Sequence, residues 1–222
     1  SIIHYQTKVS NIVLIENFPV QDKVNEYQEQ KKSKSGVIIF HGEISEDRGV
    51  SILIEAFRFL IKEFPNIVLQ IIGPWRNKLY EQDIREKITS MNLNENVFIY
   101  PELTSERVWE YLYHADIGVL PYIETPRTLS DVPTRLFEYF ASGCAVMASR
   151  LPPLELYGKK MINYSIPGNK DSLIRSLTEL LTQSELRKKM ILKGKNKILT
   201  DYNWSKIENK LLDIYEDLCN VN

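Results

Sequence analysis

The sequence predicts an α/β fold of the Rossmann type, in which a parallel sheet of about six strands carries helices on both faces and the C-terminal part is helical. Two observations predict it. From Gly36 onward, short β-branched segments alternate with longer amphipathic segments. Several of the short segments are apolar on both faces, as strands are when helices cover both sides of a sheet.

Six segments have the length and composition of strands. They are residues 36–42, 66–73, 96–100, 116–122, 144–149 and 161–165.

The segments between the strands have helical periodicity or helix-terminus signals. Apolar residues recur at helical spacing over residues 52–61. A second helix runs from Thr104, a suitable N-cap, to His114, and a third begins at Pro133 and ends at Gly143. Three further helices are predicted at residues 169–182, 184–199 and 204–219.

The first 35 residues do not follow this alternation. Residues 10–19 are predicted to form one strand that ends in a turn, and residues 28–35 are polar and lysine-rich like an exposed linker. We therefore expect residues 1–35 to be an interdomain segment and residues 36–222 to be one domain. An opening on an isolated strand suggests a piece of a longer protein.

Composition and charge exclude several classes of protein. The 222 residues carry a net charge of -1 with a pI near 6.3, so no global field attracts nucleic acid or an anionic membrane. Cys144 and Cys219 follow no paired or metal-ligand spacing, which argues against a disulfide framework and a metal site. Cys144 is expected to pack as a small apolar residue. With no signal peptide or membrane-spanning segment in the sequence, the cytoplasm is the simplest location.

Ligands of an open parallel sheet bind beyond the carboxyl ends of the strands, so the loops there are candidate sites. The first loop contains Gly42 and ends with Arg48 and Gly49 at a helix start. Helix-start amides and an adjacent guanidinium can bind phosphate. From this loop alone, a solvated arginine is the favoured interpretation.

A second loop leads into the helix of residues 133–143. Arg135 and Glu138 lie three residues apart on one helical face, directly after a polar loop that ends in Ser130 and Asp131. A carboxylate on the first turns can accept both hydroxyls of a vicinal diol, while the preceding amides face phosphate. Together these groups suit a nucleoside diphosphate. The alternative is a surface ion pair worth about 0.3–0.5 kcal/mol.

Two aromatic side chains near these loops have weaker cases. Gly73 permits a close backbone approach, and Trp75 beside it could stack on a base, although packing on its own helix is favoured. His41 could contact phosphate, but a structural role is favoured.

Four blocks, at residues 41–57, 66–74, 96–122 and 132–149, resemble in order and spacing the C-terminal domain of GT-B fold glycosyltransferases of group 1, or family 4. Residues 203–218 resemble that family's closing helix. The resemblance implies a domain that binds a nucleotide sugar, with a missing N-terminal domain that binds the acceptor.

The implied reaction transfers a hexosyl group from a UDP- or GDP-sugar to a glycan or lipid-linked acceptor in polysaccharide biosynthesis. The resemblance further implies retention of anomeric configuration, no required metal or other cofactor, and no nucleic-acid partner. This chain alone is expected to be inactive without the acceptor domain.

The resemblance also implies roles for residues. Arg48 and Arg135 contact the donor diphosphate, and Glu138 binds the ribose, so these three are the candidate catalytic residues. Backbone near Pro101, Glu102 and Leu103 holds the base. The other candidate donor-binding residues are Gly42, Gly49, Gly73, Ser130, Asp131, Thr134 and Leu136.

Two departures from the family pattern leave alternatives open. Many relatives have glutamate where this chain has Ser130 and arginine where it has Glu43, and acidic Glu43 would repel a diphosphate unless turned outward. Both departures favour the alternative of a nucleotide-sugar-binding pseudoenzyme or non-catalytic subunit. A GT-B epimerase is disfavoured because its paired acidic and histidine residues are missing.

A basic run on a late helix, residues 187–197, suits either peripheral contact with an anionic membrane or a solvated helix face. The bracketing acidic residues favour the solvated face.

Overall fold

The structure is a computed structural model that describes residues 13–19 and 36–219. All six predicted strands are present, each within two residues of its predicted bounds. They are β1 (Val37–His41), β2 (Val68–Ile72), β3 (Val97–Tyr100), β4 (Ile117–Leu120), β5 (Ala145–Ser149) and β6 (Ile162–Ser165).

The strands form one parallel sheet in the order β3-β2-β1-β4-β5-β6, which confirms the predicted Rossmann-like fold class. The order reverses between β1 and β4. β1 is in register with β2 over five residue pairs but with β4 over only two, Ile38 with Ile117 and Ile39 with Gly118. The pairing of β1 with β4, at the centre of the sheet, is therefore the shortest in the sheet.

Tyr139 closes the gap where β1 and β4 diverge. Its fully buried hydroxyl lies 3.2 Å from the carbonyl of Ile39 in β1 and 3.4 Å from that of Val119 in β4. A side chain at Gly118 would collide with the Tyr139 ring, because an added Cβ would lie 2.4 Å from it. One phenol can thus donate to carbonyls on both halves of the sheet.

Eight helices occur in the described residues. They are α1 (Val50–Glu63), α2 (Lys78–Ser90), α3 (Ser105–His114), α4 (Arg135–Ser142), α5 (Pro152–Gly158), α6 (Lys170–Thr182), α7 (Ser184–Thr200) and α8 (Trp204–Cys219), and one-turn 3-10 helices cover Glu46–Arg48 and Lys159–Met161. Six of the eight were predicted. α4 begins two residues later than Pro133 and ends, as predicted, at a left-handed Gly143.

The strand predicted at residues 10–19 is wrong for residues 13–19, which have no regular secondary structure. Residues 10–12 and the predicted linker at 28–35 lie outside the described residues. Phe18 inserts its ring edge-on against Phe137 at 4.8 Å, and the Pro19 carbonyl accepts the amide of Trp204. Phe18 thus packs against helices rather than at a sheet edge, whereas Val13, Leu14 and Ile15 are exposed.

The basic run predicted on a late helix lies on α7. Two of its lysines form ion pairs with acidic neighbours, Lys188 with Glu185 and Lys197 with Asp201. No helix within residues 13–19 and 36–219 is long and apolar enough to cross a membrane. Cys144 is buried beside the Leu112 carbonyl, which confirms its predicted packing role.

Candidate functional site

The candidate residues meet at the point where the strand order reverses. β1 and β4 are neighbours, and the helices that follow them lead away in opposite directions along the sheet. The loop after β1 supplies Gly42 and Arg48, and the loop after β4 leads through Asp131 to Arg135 and Glu138. In open α/β sheets this reversal opens a crevice at the carboxyl ends of the strands.

Arg48 is buried, so the solvated interpretation is wrong. Its side chain is about 5% exposed, and its Nη2 donates to Oδ2 of Asp131 at 2.8 Å. The guanidinium carbon lies 4.6 Å from the centre of the Tyr122 ring. The Nε and Nη1 atoms are buried without a hydrogen-bond partner among the described residues. Such groups are costly to leave unpaired, which favours a ligand that accepts from them.

Arg135 is the first residue of α4 and is also buried. Its guanidinium carbon lies 5.2 Å from the Phe40 ring centre and 5.9 Å from that of Tyr122. Its Nη1 has no hydrogen-bond partner within the described part of the chain. A surface pair with Glu138 therefore does not describe Arg135. Because Arg48 and Arg135 both lie beside the Tyr122 ring, two positive charges converge in one place.

Sequence analysis did not identify Tyr122 as a candidate site residue. Its position just beyond the end of β4, at the same sheet edge as the other candidates, was the available signal. Its hydroxyl is buried without a hydrogen-bond partner among the described residues. Burial raises the pKa of Tyr122, although Arg135 and Arg48 lower it, so the phenol stays protonated at neutral pH.

The glycines of the first loops allow a tight backbone approach. An added Cβ at Gly42 would lie 2.4 Å from the Arg135 guanidinium, and one at Gly73 would lie 2.2 Å from the Gly42 carbonyl oxygen. Gly42 has a φ of +92°, which L side chains rarely adopt. The missing side chain at Gly42 therefore makes the space that Arg135 occupies. Gly49 lies at the start of α1, beside the Pro121 carbonyl.

Glu138 lies in the first turn of α4, with its side chain 30% exposed. One carboxylate oxygen is 3.3 Å from Nε2 of His41, the last residue of β1. Burial, and then the charge of Arg135, lower the pKa of His41 to about 3. The carboxylate therefore faces a neutral imidazole at physiological pH, and the ring packs edge-on against Tyr139 at 5.1 Å.

The candidate residues of the loop 130–136 differ in exposure and in hydrogen bonding. Thr134 is exposed at the start of α4, where no side chain caps the described helix terminus. Ser130 directs its hydroxyl to the carbonyls of Pro126 and Arg127. Leu136 is fully buried and its amide donates to Pro133, so a ligand contact by Leu136 would require its amide to exchange that bond.

The candidate base-binding residues lie apart from this centre. Pro101, Glu102 and Leu103 follow β3, two strands away from β1 but at the same end of the sheet. Trp75 packs against Tyr80 of α2 with ring centres 5.9 Å apart, which confirms the packing interpretation.

Glu43 does not stand alone at the rim. Its Oε1 lies 2.9 Å from Nη1 of Arg127, a residue of the loop after β4 that sequence analysis missed. A cleft of about 620 Å³ adjoins the rim and is lined on one side by Arg127, Asp131 and Thr134 and on the other by residues 14–18. The rim, formed by Glu43 and Arg127, therefore has a Glu43 charge that is balanced by Arg127, and the cleft lies next to it.

Comparisons with known proteins give a consistent family. The family described as "Glycosyl transferases group 1" matches residues 22–197. The UDP-glucuronate:glycolipid 2-beta-glucuronosyltransferase of Xanthomonas campestris pv. campestris is 26% identical over 163 residues, covering 72% of this chain and 34% of the relative. The lipopolysaccharide 1,2-N-acetylglucosaminetransferase of Salmonella typhimurium is 23% identical over 182 residues, covering 78% and 46%.

A solved structure supports the fold. The C-terminal domain of a glycosyl transferase group 1 family protein from Francisella tularensis superposes with a TM-score of 0.63 at 23% identity, covering 84% of this chain and 95% of that one. The chain thus spans less than half the length of the two relatives above but almost all of a separately solved C-terminal domain.

Proposed function

Because the chain belongs to the group 1 glycosyl transferases, we propose that residues 36–222 are the nucleotide-sugar-binding domain of a two-domain glycosyltransferase. Residues 1–35 are, in this proposal, the segment that joins it to an acceptor-binding domain. The crevice between the loops after β1 and β4 holds the nucleotide diphosphate.

The observation that carries the proposal is the pair of buried guanidinium groups beside Tyr122. Arg48 and Arg135 both have buried nitrogen atoms without a hydrogen-bond partner in the described residues. A diphosphate supplies several acceptor oxygens and the matching charge. Glu138, in the first turn of α4 and partly exposed, is available to accept from the ribose hydroxyls.

The proposed reaction moves a sugar from a UDP- or GDP-sugar to an acceptor hydroxyl with retention at the anomeric carbon. The acceptor oxygen bonds to that carbon and gives up its proton to the departing nucleoside diphosphate or to solvent. The bond from the carbon to the diphosphate breaks, and negative charge develops on the leaving oxygen. Arg48 and Arg135 stabilise that charge, taking the part that a divalent cation plays in other phosphate sites. Transfer itself requires the acceptor domain in addition to this chain.

The acceptor is proposed to be a glycan or a lipid-linked glycan. Support comes from two relatives, one named for a glycolipid acceptor and the other for lipopolysaccharide. Polysaccharide biosynthesis is accordingly the process in which we place the reaction.

Calorimetric titration of the chain with UDP, GDP and ADP tests the proposal. We expect one nucleotide to bind best, and Glu138→Ala to weaken it about tenfold or more, because hydrogen bonds to a charged group contribute roughly 1.5–3 kcal/mol. Glu86→Ala, on an exposed face of α2, is the control and should bind as the wild type does. Equal weak heats for all three nucleotides, unchanged by Glu138→Ala, would contradict the proposed pocket.

A further inference from the structure

We propose that Arg127 is a third phosphate-binding cation, which contacts Glu43 and Asp131 in this structure and turns to the diphosphate of a nucleotide sugar. The inference rests on the proposed function, because it assigns one more residue to the same site. No motif in the sequence identifies Arg127.

The backbone of Arg127 is fixed at the rim of the crevice. Its carbonyl accepts the amides of Ser130 at 3.2 Å and Asp131 at 2.9 Å. The next residue, Thr128, is buried, and its hydroxyl donates to the Ile123 carbonyl at 2.6 Å. The loop is thus internally bonded on both sides of Arg127, while the side chain is 39% exposed. Arg127 can therefore reach a ligand by a change of its side chain without a change of its backbone.

Three carboxylates surround the guanidinium of Arg127. Its Nη1 lies 2.9 Å from Glu43 Oε1 and 3.7 Å from Asp47 Oδ2, and its Nε lies 4.0 Å from Asp131 Oδ2. Without Arg127, these acidic groups would repel an incoming diphosphate. Arg127 therefore reduces the negative charge at the rim.

The contact with Glu43 is close but poorly directed. Both Nη1 of Arg127 and Oε1 of Glu43 are buried atoms without a hydrogen-bond partner among the described residues. An ion pair between partly exposed side chains that lacks hydrogen-bond geometry contributes little stability. A phosphate, which offers directed acceptor oxygens and a higher charge, can therefore displace Glu43.

Asp131 shows where that phosphate would lie. The same oxygen, Oδ2, accepts from Arg48 Nη2 at 2.8 Å and lies 4.0 Å from Arg127 Nε. Two guanidinium groups from different loops thus converge on one anionic oxygen. A phosphoryl oxygen that replaced it would contact Arg48 and lie within reach of Arg127.

The test compares a nucleoside diphosphate with its monophosphate. The best-binding diphosphate among UDP, GDP and ADP, and the corresponding monophosphate, are titrated into wild type, Arg127→Ala and Glu43→Gln. We expect Arg127→Ala to weaken diphosphate binding about tenfold and monophosphate binding much less, because one charge-assisted contact is lost. Glu43→Gln should strengthen diphosphate binding several-fold, because it removes the competing carboxylate.

Arg85→Ala is the matched control, since Arg85 is an exposed arginine paired with Glu81 on α2, and it should bind like the wild type. Diphosphate affinity of Arg127→Ala within twofold of wild type would overturn the role of Arg127, while loss of binding in Glu138→Ala would leave the proposed function standing. Equal losses for diphosphate and monophosphate would also overturn it. A wild-type chain that binds none of the nucleotides would remove both proposals.

Discussion

His41 and Glu138 lie side by side, with Nε2 of the buried imidazole 3.3 Å from a carboxylate oxygen. The pKa of His41 is lowered to about 3 by burial and by Arg135, against an ordinary value of 6.5. A nearby carboxylate would raise the pKa of an exposed histidine. Here the cost of burying a charged ring outweighs that effect, and the imidazole is neutral at physiological pH.

His41 therefore makes folding stability depend on pH. Below about pH 6.5 the unfolded chain protonates this histidine and the folded chain does not, so stability present above pH 6.5 is lost as the pH falls toward 3, at about 1 kcal/mol per pH unit. We expect His41→Asn to lose less stability than wild type between pH 7.5 and 5.5, measured by urea denaturation. Val119→Ala, a buried non-titratable control, should show the wild-type pH dependence. Parallel losses in His41→Asn and wild type would mean that the folded chain protonates His41.

Gly42→Ala should disable the site through Arg135. The new methyl would lie 2.4 Å from the guanidinium, so Arg135 must leave its position beside Phe40, and the backbone φ of +92° adds strain of order 1–3 kcal/mol. Nucleotide affinity, measured by calorimetry, should fall more than tenfold. Gly168→Ala is the matched control, because Gly168 has a φ of +68° but open space around it. It should lose stability without losing affinity, and an equal loss of affinity in both variants would argue against the contact.

Phe18→Ala should destabilise the domain although it lies outside the sheet. Its ring is 7% exposed and packs with the rings of Phe137, Tyr157 and Tyr202. Truncation of a buried phenylalanine costs about 3–5 kcal/mol, which denaturant unfolding would detect. Phe59→Ala, which removes a ring that is 47% exposed, should cost much less. Equal stability of wild type and Phe18→Ala would show that residues 13–19 do not belong to the folded unit.

The sheet was predictable because its central strands are buried on both faces. β4 and β5, for example, have no exposed residue, and their composition reflects that burial directly. The two missed helices lack such a signal. α2 buries only Tyr80, Ile84 and Ile88 among 13 residues, and α5 begins with two prolines that also suit a loop.

The site was predictable only where neighbours in sequence act together. Arg135 and Glu138 share one helix, so their spacing made them candidates, whereas the loop of Arg48 alone favoured a solvated arginine and only the family resemblance gave Arg48 a role. Arg127 and Tyr122 gain their positions from partners on the loop after β1, far away in sequence. The contact between Arg127 and Glu43 cannot be predicted from local sequence patterns, because the two residues are far apart in the chain.

Because the pairing between β1 and β4 is short, α4 has a second role in holding the two strands together. Tyr139, next to Glu138, is the residue whose hydroxyl meets carbonyls on both of these strands. A ligand that bound both Glu138 and Arg48 would link the β1 half of the sheet to the β4 half across the shortest strand pairing. Ligand binding by Glu138 and the contact of Tyr139 with both strands thus depend on the same eight-residue helix. Weaker pairing of β1 with β4 would therefore alter the ligand site first.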